Sequence, residues 1–219
     1  MSRLPLTRRR IAEAAVAVAD ADGLAAVTTR RIGAELDVSA MALYRHVAGR
    51  QGLLQAAAAL AAEGTRVVPA PDGDWRDGLT ALAESGRNAF AAHPWLLALA
   101  VGPEGALDPT PPETTERLLA LLCGAGLDAD EAADALLGAA AIPVGVASLT
   151  GTRPPAAAAS LEPDGDAAPT PAHAALHARG LTPDVGLRVF HLTLAAYLDG
   201  IDRRLRHERR PDATPKENP

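Results

Sequence analysis

The chain has 219 residues, of which 48% are hydrophobic and only 3% aromatic, with a single cysteine, Cys123. This length and apolar content allow a sizeable core in one or two domains, and one cysteine excludes an internal disulfide and suits a reducing compartment. The net charge of −6 argues against a uniformly basic nucleic-acid binder, but the first 50 residues hold eight arginines against five acidic residues and carry +3, which leaves −9 for the rest. A basic start and an acidic body are typical of a protein that meets phosphate at one end only.

Alanine and leucine are abundant and β-branched runs are rare, so we expect an all-α protein. Thr7 is placed to cap a first helix that runs to about Ala21, with Gly23 as its stop. Three arginines at positions 8–10 oppose the helix dipole in its first turn, a cost that nearby phosphates would offset. A merely solvated N-terminus is the alternative. Arg3 could belong to a flexible arm that enters the minor groove.

Residues 28–47 carry the most informative pattern, two short amphipathic helices joined by a tight turn. The apolar positions lie at helical spacing, with one residue between the helices to fill their corner: Ile32, Leu36, Val38, Leu43 and Val47. Asp37 tolerates the left-handed conformation that ends the first of these helices. Ser39 is a good N-cap for the second. The pattern predicts a helix-turn-helix.

This segment resembles the N-terminal domain of the TetR (tetracycline-repressor) family of bacterial transcription regulators. The similar stretch runs from about Leu6 to Ala58, and its marks are Thr28-Thr29-Arg30, Leu43-Tyr44-x-His46-Val47 and Arg50-x-x-Leu53-Leu54. At Asp37 the family usually has glycine. Two shorter matches, residues 190–200 and His93-Pro94-Trp95-Leu96, resemble the C-terminal domain of the tetracycline-repressor subgroup. The resemblance implies an N-terminal three-helix helix-turn-helix DNA-binding domain and a C-terminal helical ligand-binding and dimerisation domain.

The resemblance also implies how DNA would be held. Helix three, Ala40 to His46, would lie in the major groove, and four residues match phosphate contacts: Thr29, Tyr44, His46 and Arg50. We expect Arg30 to read a guanine edge and Arg45 to meet a base or a phosphate. The complete set of candidate DNA-binding residues is Thr29, Arg30, Ser39, Ala40, Met41, Tyr44, Arg45, His46 and Arg50.

Each of these roles has a plainer alternative. The three residues from Ala40 to Ala42 offer only apolar surface, suited to thymine methyl groups. Tyr44 could belong to the core, although it follows Leu43 and so points to a different face. Arg30 and Arg31 could form an ordinary solvated face, and His46 could interact with a helix C-terminus.

Beyond the helix-turn-helix, a fourth helix is expected from about Arg50 to Val67. We predict the domains to be a helix-turn-helix domain at 1–50, a connecting helix at 51–68, an effector-binding and dimerisation domain at 74–208 with a mobile loop at 153–171, and a disordered tail at 209–219. Further helices are predicted from Asp74 to near His93-Pro94, 95–101, 113–125, 128–149 with a kink or local opening at Pro143, 172–179, and 185 to about 207.

A body this large exceeds what a DNA anchor needs, and in the family the equivalent region binds a small molecule and forms a homodimer. The predicted dimer helices are 128–149 and 185–206, four in all across two subunits. The candidate effector-binding residues are Phe90, His93, Trp95, Leu122 and Ile142, although Phe90 and Trp95 could simply be core. The fourth helix would act as a lever between effector and DNA.

Other classes of protein are not favoured by the sequence. We find no phosphate-binding glycine loop and no nucleophile with a recognisable base, so no enzyme is expected. His173 and His177 have metal spacing but no acidic or cysteine partner nearby, so we expect neither metal nor cofactor. The longest apolar run, Leu136 to Leu149, is too short for a bilayer. We therefore expect a cytoplasmic protein whose partners are an inverted-repeat operator, an effector and a second copy of itself. A helical interaction protein that has lost DNA binding is the remaining rival.

Overall fold

The computed structural model describes residues 5–64, 69–70, 72–102, 111–150 and 182–208. Within these ranges all regular structure is helical, as predicted. The helices are α1 (Arg8–Asp22), a short 3₁₀ turn (Leu24–Ala26), α2 (Thr29–Glu35), α3 (Ala40–Tyr44), α4 (Gly49–Glu63), α5 (Trp75–Ala92), α6 (Trp95–Val101), α7 (Pro112–Ala125), α8 (Ala129–Thr150) and α9 (Pro183–Glu208). Arg3, the loop at 153–171, the helix at 172–179 with His173 and His177, and the tail at 209–219 lie outside the described residues.

Several helix ends follow from local hydrogen bonds that the sequence predicted. The Thr7 hydroxyl accepts from the Arg10 N–H at 3.2 Å, and α1 ends at Gly23 with φ +80°. Asp128 and Glu131 exchange side-chain-to-backbone bonds of 2.9 and 3.1 Å at the start of α8. This reciprocal pair satisfies amide groups that the first helical turn leaves without partners.

The chain divides into two compact units. The first comprises Met1–Val68 and Glu84–Pro112, and the second Pro69–Ala83 and Glu113–Pro219, so the division falls within α5. The first unit has a core of side chains from α1, α2, α3, α4, the end of α5, and α6. The second is built mainly on α8 and α9, with Leu79 of α5 and Leu122 of α7 in its core. The predicted domain boundaries at residues 50, 68 and 74 stay a prediction, because they concern which segments fold independently.

Helix α8 agrees with the predicted range of 128–149 to within one residue at each end. It contains Pro143, and it begins seven residues before Leu136, the first residue of the longest apolar run. It is the one helix among the described residues that could cross a bilayer by length and composition, with a mean hydropathy of 1.7. The prediction that no segment reaches that length is therefore wrong, because it counted only the run interrupted at Pro143. Only 22% of that apolar window is buried, so most of α8 is left uncovered within one chain.

Candidate nucleic-acid interface

Two side-chain caps and one left-handed residue define the α2–turn–α3 segment. The Thr28 hydroxyl accepts from the Arg31 N–H at 3.1 Å and the Ser39 hydroxyl from the Ala42 N–H at 3.3 Å. Asp37 has φ +52° and is the only non-glycine residue of the described chain with a positive φ. Asp37 and Ser39 confirm the predicted turn, because each ends or starts a helix at the residue that the sequence indicated. The Thr28 cap is an additional feature that the structure shows.

The turn after α2 comes back close to that helix at Gly33. The Val38 N–H donates to the Gly33 carbonyl at 2.9 Å, and a Cβ added at Gly33 would lie 2.9 Å from the Val38 carbonyl oxygen. No real Cβ fits such a gap, so glycine permits the turn to pack this closely against α2. On the inner side Ile32, Leu43 and Val47 are buried. The core therefore fixes which face of α3 points outward.

That outward face is apolar and aromatic. Met41 is 76% exposed and Tyr44 is 53% exposed, whereas Leu43 between them is fully buried. Ala40 and Arg45 are also exposed. The alternative that Tyr44 belongs to the core is wrong, because its side chain is exposed and lies on a different face of the helix from Leu43. The surface suits contact with methyl groups, sugars and phosphates.

The arginines of α2 have different surroundings. Arg31 forms ion pairs with Asp22 at 2.9 Å and with Glu35 at 3.7 Å. Arg30 is exposed, and no ion pair holds it within the described part of the chain. Arg31 thus has an intramolecular role, while the guanidinium of Arg30 is available to an external acceptor.

The remaining candidates flank the two helices. Thr29 is the first residue of α2 and His46 follows α3, and both are half-buried. Arg50 differs from the prediction, because its guanidinium donates to the backbone carbonyls of Val27 at 3.1 Å and Leu24 at 3.2 Å. The structure therefore gives Arg50 an internal partner that sequence reasoning missed.

The arginine run in the first turn of α1 is also partly engaged. Arg9 pairs with Glu13 at 3.0 Å and with Glu63 at 3.4 Å. Arg10 donates to the Pro5 carbonyl at 3.1 Å. Arg8 is exposed. Acceptors within the chain thus offset part of the electrostatic cost of these arginines, which the sequence suggested nearby phosphates would offset.

The candidate effector-binding residues are divided between the two compact units. Phe90, His93 and Trp95 belong to the first unit, and Leu122 and Ile142 to the second. Leu122 is fully buried, and Ile142 packs against the same core. Phe90 packs against the other core, to which Trp95 itself belongs. The structure therefore agrees with the alternative that Phe90 and Trp95 are core residues.

Asp20 joins α1 to the corner between α5 and α6. The Trp95 indole N–H donates to Asp20 Oδ1 at 2.7 Å, and His93 Nδ1 lies 2.8 Å from the same oxygen. Trp95 is only 6% exposed, so its N–H depends on this carboxylate for a partner. Sequence reasoning missed Asp20; a His-Pro-Trp corner that offers two ring N–H groups was the available signal.

In the second unit, Tyr197 of α9 fastens that helix to α8. Its hydroxyl donates to the Ala135 carbonyl at 3.1 Å and reaches the Asp134 carbonyl at 3.3 Å. Burial, and next the charge of Asp134, raise the pKa of Tyr197 above its usual value. Arg76–Asp199 and Arg204–Glu131 ion pairs add polar contacts between helices of this unit.

Comparison with known proteins agrees with this geometry. A family model described as "Bacterial regulatory proteins, tetR family" matches residues 11–57, and one described as "Tetracyclin repressor-like, C-terminal domain" matches residues 68–205. The second match alone covers more than half of the chain.

The chain belongs to the TetR family. Two curated TetR-type relatives are 35% identical to it: the HTH-type transcriptional repressor DrrR1 of Streptomyces coeruleorubidus over 133 residues, and the tetracycline repressor protein class E of Escherichia coli over 136 residues. Each alignment covers 60% of this chain, but it spans only 49% of DrrR1 and 62% of the class E protein.

Solved TetR-type structures match over nearly the whole chain. Apo ActR from Streptomyces coelicolor superimposes with a TM-score of 0.73 at 25% identity, covering 94% of this chain and all of that one. ActR in complex with actinorhodin gives a TM-score of 0.69 at 28% identity, with 91% and 97% of the two chains covered. The all-α fold with an N-terminal helix-turn-helix is thereby confirmed.

Proposed function

We propose that this TetR-family protein is a ligand-responsive transcriptional repressor, which binds a palindromic operator as a homodimer and is released by a small-molecule effector. The observation that carries the proposal is the outer face of α3, where Met41 and Tyr44 are exposed although they are large and apolar. Single exposed apolar residues are common on soluble proteins, but these two lie together on the outward face of the second helix of a helix-turn-helix, the helix that enters the DNA groove.

In this proposal α3 lies in the major groove and the flanking residues position it. Met41 meets thymine methyl groups, and Tyr44 with Thr29 and His46 contacts phosphates. Arg30 reads a base edge, because its fork matches the two acceptors of guanine and no carboxylate competes for it. Arg45 supplies a further contact from the exposed end of α3.

The homodimer is supported by the uncovered surface of α8 and α9. Leu137 on α8 is 66% exposed and Leu192 on α9 is 72% exposed, and most of the apolar stretch of α8 is unburied. Apolar surface of this extent marks an association site. A second copy can cover the same helices symmetrically and place two heads about 34–36 Å apart on one face of DNA. Because a second copy, and not lipid, covers the apolar surface of α8 in this proposal, the proposal agrees with a cytoplasmic location.

For the effector we propose only that it is a small molecule. ActR, to which the chain is similar, has been solved with actinorhodin, so actinorhodin is the first probe to test. Phe90, His93, Trp95, Leu122 and Ile142 stay the candidate effector residues. A ligand releases DNA only if it binds the non-operator conformation more tightly.

The test is operator binding measured by fluorescence anisotropy as salt concentration is varied. The probe is the inverted repeat upstream of the gene, with a scrambled duplex of equal length as control. We expect affinity for the repeat to fall steeply with salt, since phosphate contacts release counterions. Replacing Arg30 and Tyr44 together by alanine should abolish this binding while the oligomeric state is kept. Equal affinity for both duplexes, or none at low salt, would favour the interaction-protein alternative.

A further inference from the structure

Arg50 joins the start of α4 to the segment that leads into α2. Its Nε and Nη2 atoms donate to two carbonyls, those of Val27 and Leu24, at 3.1 and 3.2 Å. The two acceptors are at either end of the stretch between α1 and α2, and the Val27 side chain is fully buried. One planar guanidinium therefore fixes both ends of this stretch.

The position of this stretch decides where α2 begins. Thr28, the N-cap of α2, follows Val27 directly. Helix α2 has only seven residues, too few to be stable without tertiary contacts. The Arg31–Asp22 ion pair ties the same region to α1, but both side chains are more than 40% exposed, and exposed pairs contribute little. Arg50 thus supplies a half-buried polar contact that holds the backbone just before α2, in addition to the buried apolar contact of Ile32.

We propose that Arg50 is a positioning residue for DNA recognition, which aims Thr29 and Arg30 by holding the backbone ahead of α2. The inference rests on the proposed DNA-binding function and assigns Arg50 a role other than the direct phosphate contact expected from sequence. The two roles differ chemically. A phosphate contact needs a positive charge, whereas the tie needs a donor fork that reaches two carbonyls at once, which a lysine ammonium does not provide.

The experiment compares Arg50→Lys, which keeps the charge, with Arg50→Met, which removes it. Operator affinity is measured across a range of salt concentrations, and amide hydrogen exchange of residues 24–31 is measured in the full-length protein without DNA. We expect both variants to bind at least tenfold more weakly, with the slope of log affinity against log salt unchanged, and to exchange faster in this segment. Arg45→Met is the matched control, whose exchange at 24–31 should stay at the wild-type level.

Wild-type affinity in Arg50→Lys, or a slope lowered by about 0.9 per head in Arg50→Met with unchanged exchange, would overturn the proposal in favour of a phosphate contact. If the wild-type protein binds no operator, the proposed function fails, and exchange in the free protein still decides the role of Arg50. Faster exchange in both variants would then support the tie, and unchanged exchange would refute it.

Discussion

Arg30 and Arg31 are adjacent in the chain but differ in what surrounds them. Arg31 has two carboxylate partners and Arg30 has none in the described residues. We expect Arg30→Ala to weaken operator binding by about 1–3 kcal/mol and to relax preference at one base pair. Arg31→Ala is the control. It should lower the free energy of unfolding by well under about 1 kcal/mol, and it should weaken operator binding less than Arg30→Ala does. Equal losses in a binding titration would contradict the assignment of base reading to Arg30.

Asp20 and Asp22 form a second matched pair, both near the end of α1. Asp20→Ala leaves the buried Trp95 N–H without its acceptor, so the free energy of unfolding should fall by about 1–3 kcal/mol. Asp22→Ala removes only an exposed ion pair with Arg31 and should cost less than about 1 kcal/mol. Urea unfolding followed by tryptophan fluorescence measures both. A larger loss in Asp22→Ala would contradict the role given to Asp20.

Sequence predicted the residues whose partners are near them in the chain. Ser39 and Thr7 each accept a hydrogen bond from a backbone N–H three residues further along the chain. Asp37 adopts a left-handed conformation that depends on its own side chain. Local sequence pattern was therefore sufficient to predict these residues. The internal contacts of Arg50 and Asp20 were missed because their partners are 23 and 75 residues distant in the chain. Spacing along one helix contains no information about such contacts, which depend on how helices pack.

At the scale of elements, the contact between α8 and α9 depends on Gly138, which has no side chain to occupy the space filled by Tyr197. A Cβ at Gly138 would lie 2.1 Å from the Tyr197 hydroxyl oxygen and 2.5 Å from its ring. We expect Gly138→Ala to lower the free energy of unfolding by about 1–3 kcal/mol, since overpacking forces the helices apart. Gly124→Ala in α7 has open space around it and should be neutral or slightly stabilising. Thermal unfolding of both variants tests this, and equal melting temperatures would contradict it.

The same contact makes a prediction about alkaline pH. Because the pKa of Tyr197 is raised in the folded protein, the unfolded chain ionises this residue first, near pH 10. Its contribution to stability is present below that pH and is lost as pH rises through the folded-state pKa. Spectrophotometric titration of the two tyrosines should show one late component that Tyr197→Phe removes. An unchanged titration curve in this variant would contradict the shift.

Helix existence was easier to predict than helix extent. The apolar periodicity of α1, α5 and α9 gave the right elements with ends within about two residues. The prediction for α4 extended to Val67, whereas the helix ends at Glu63 before Gly64. Helix α8 contains Pro143 and ends within one residue of its predicted end, and the kink or local opening expected at Pro143 stays a prediction. Prolines and glycines shift local preference, but the surrounding packing decides where a helix stops.

At the scale of the whole molecule, the uncovered leucines of α8 and α9 should determine the oligomeric state. We expect Leu137→Asp and Leu192→Asp to convert a dimer into monomers, because each places an unpaired charge on an apolar interface. Val101→Asp introduces a charge at a residue that is likewise 61% exposed but lies on α6, and it should remain dimeric. Sedimentation equilibrium separates the two results. Dimeric Leu137→Asp and Leu192→Asp would place the interface elsewhere.

The way the compact units divide the chain has a consequence for anyone building hybrid regulators from this TetR-family protein. The family-model boundary near residue 68 invites an exchange of heads at that point. Residues before it, however, share one core with Ala89, Trp95, Leu96 and Leu99, which come from after it. A transplanted head would leave behind the indole that Asp20 binds. Splices should therefore carry the segment from Glu84 onward with the head, or graft a matching tryptophan onto the recipient.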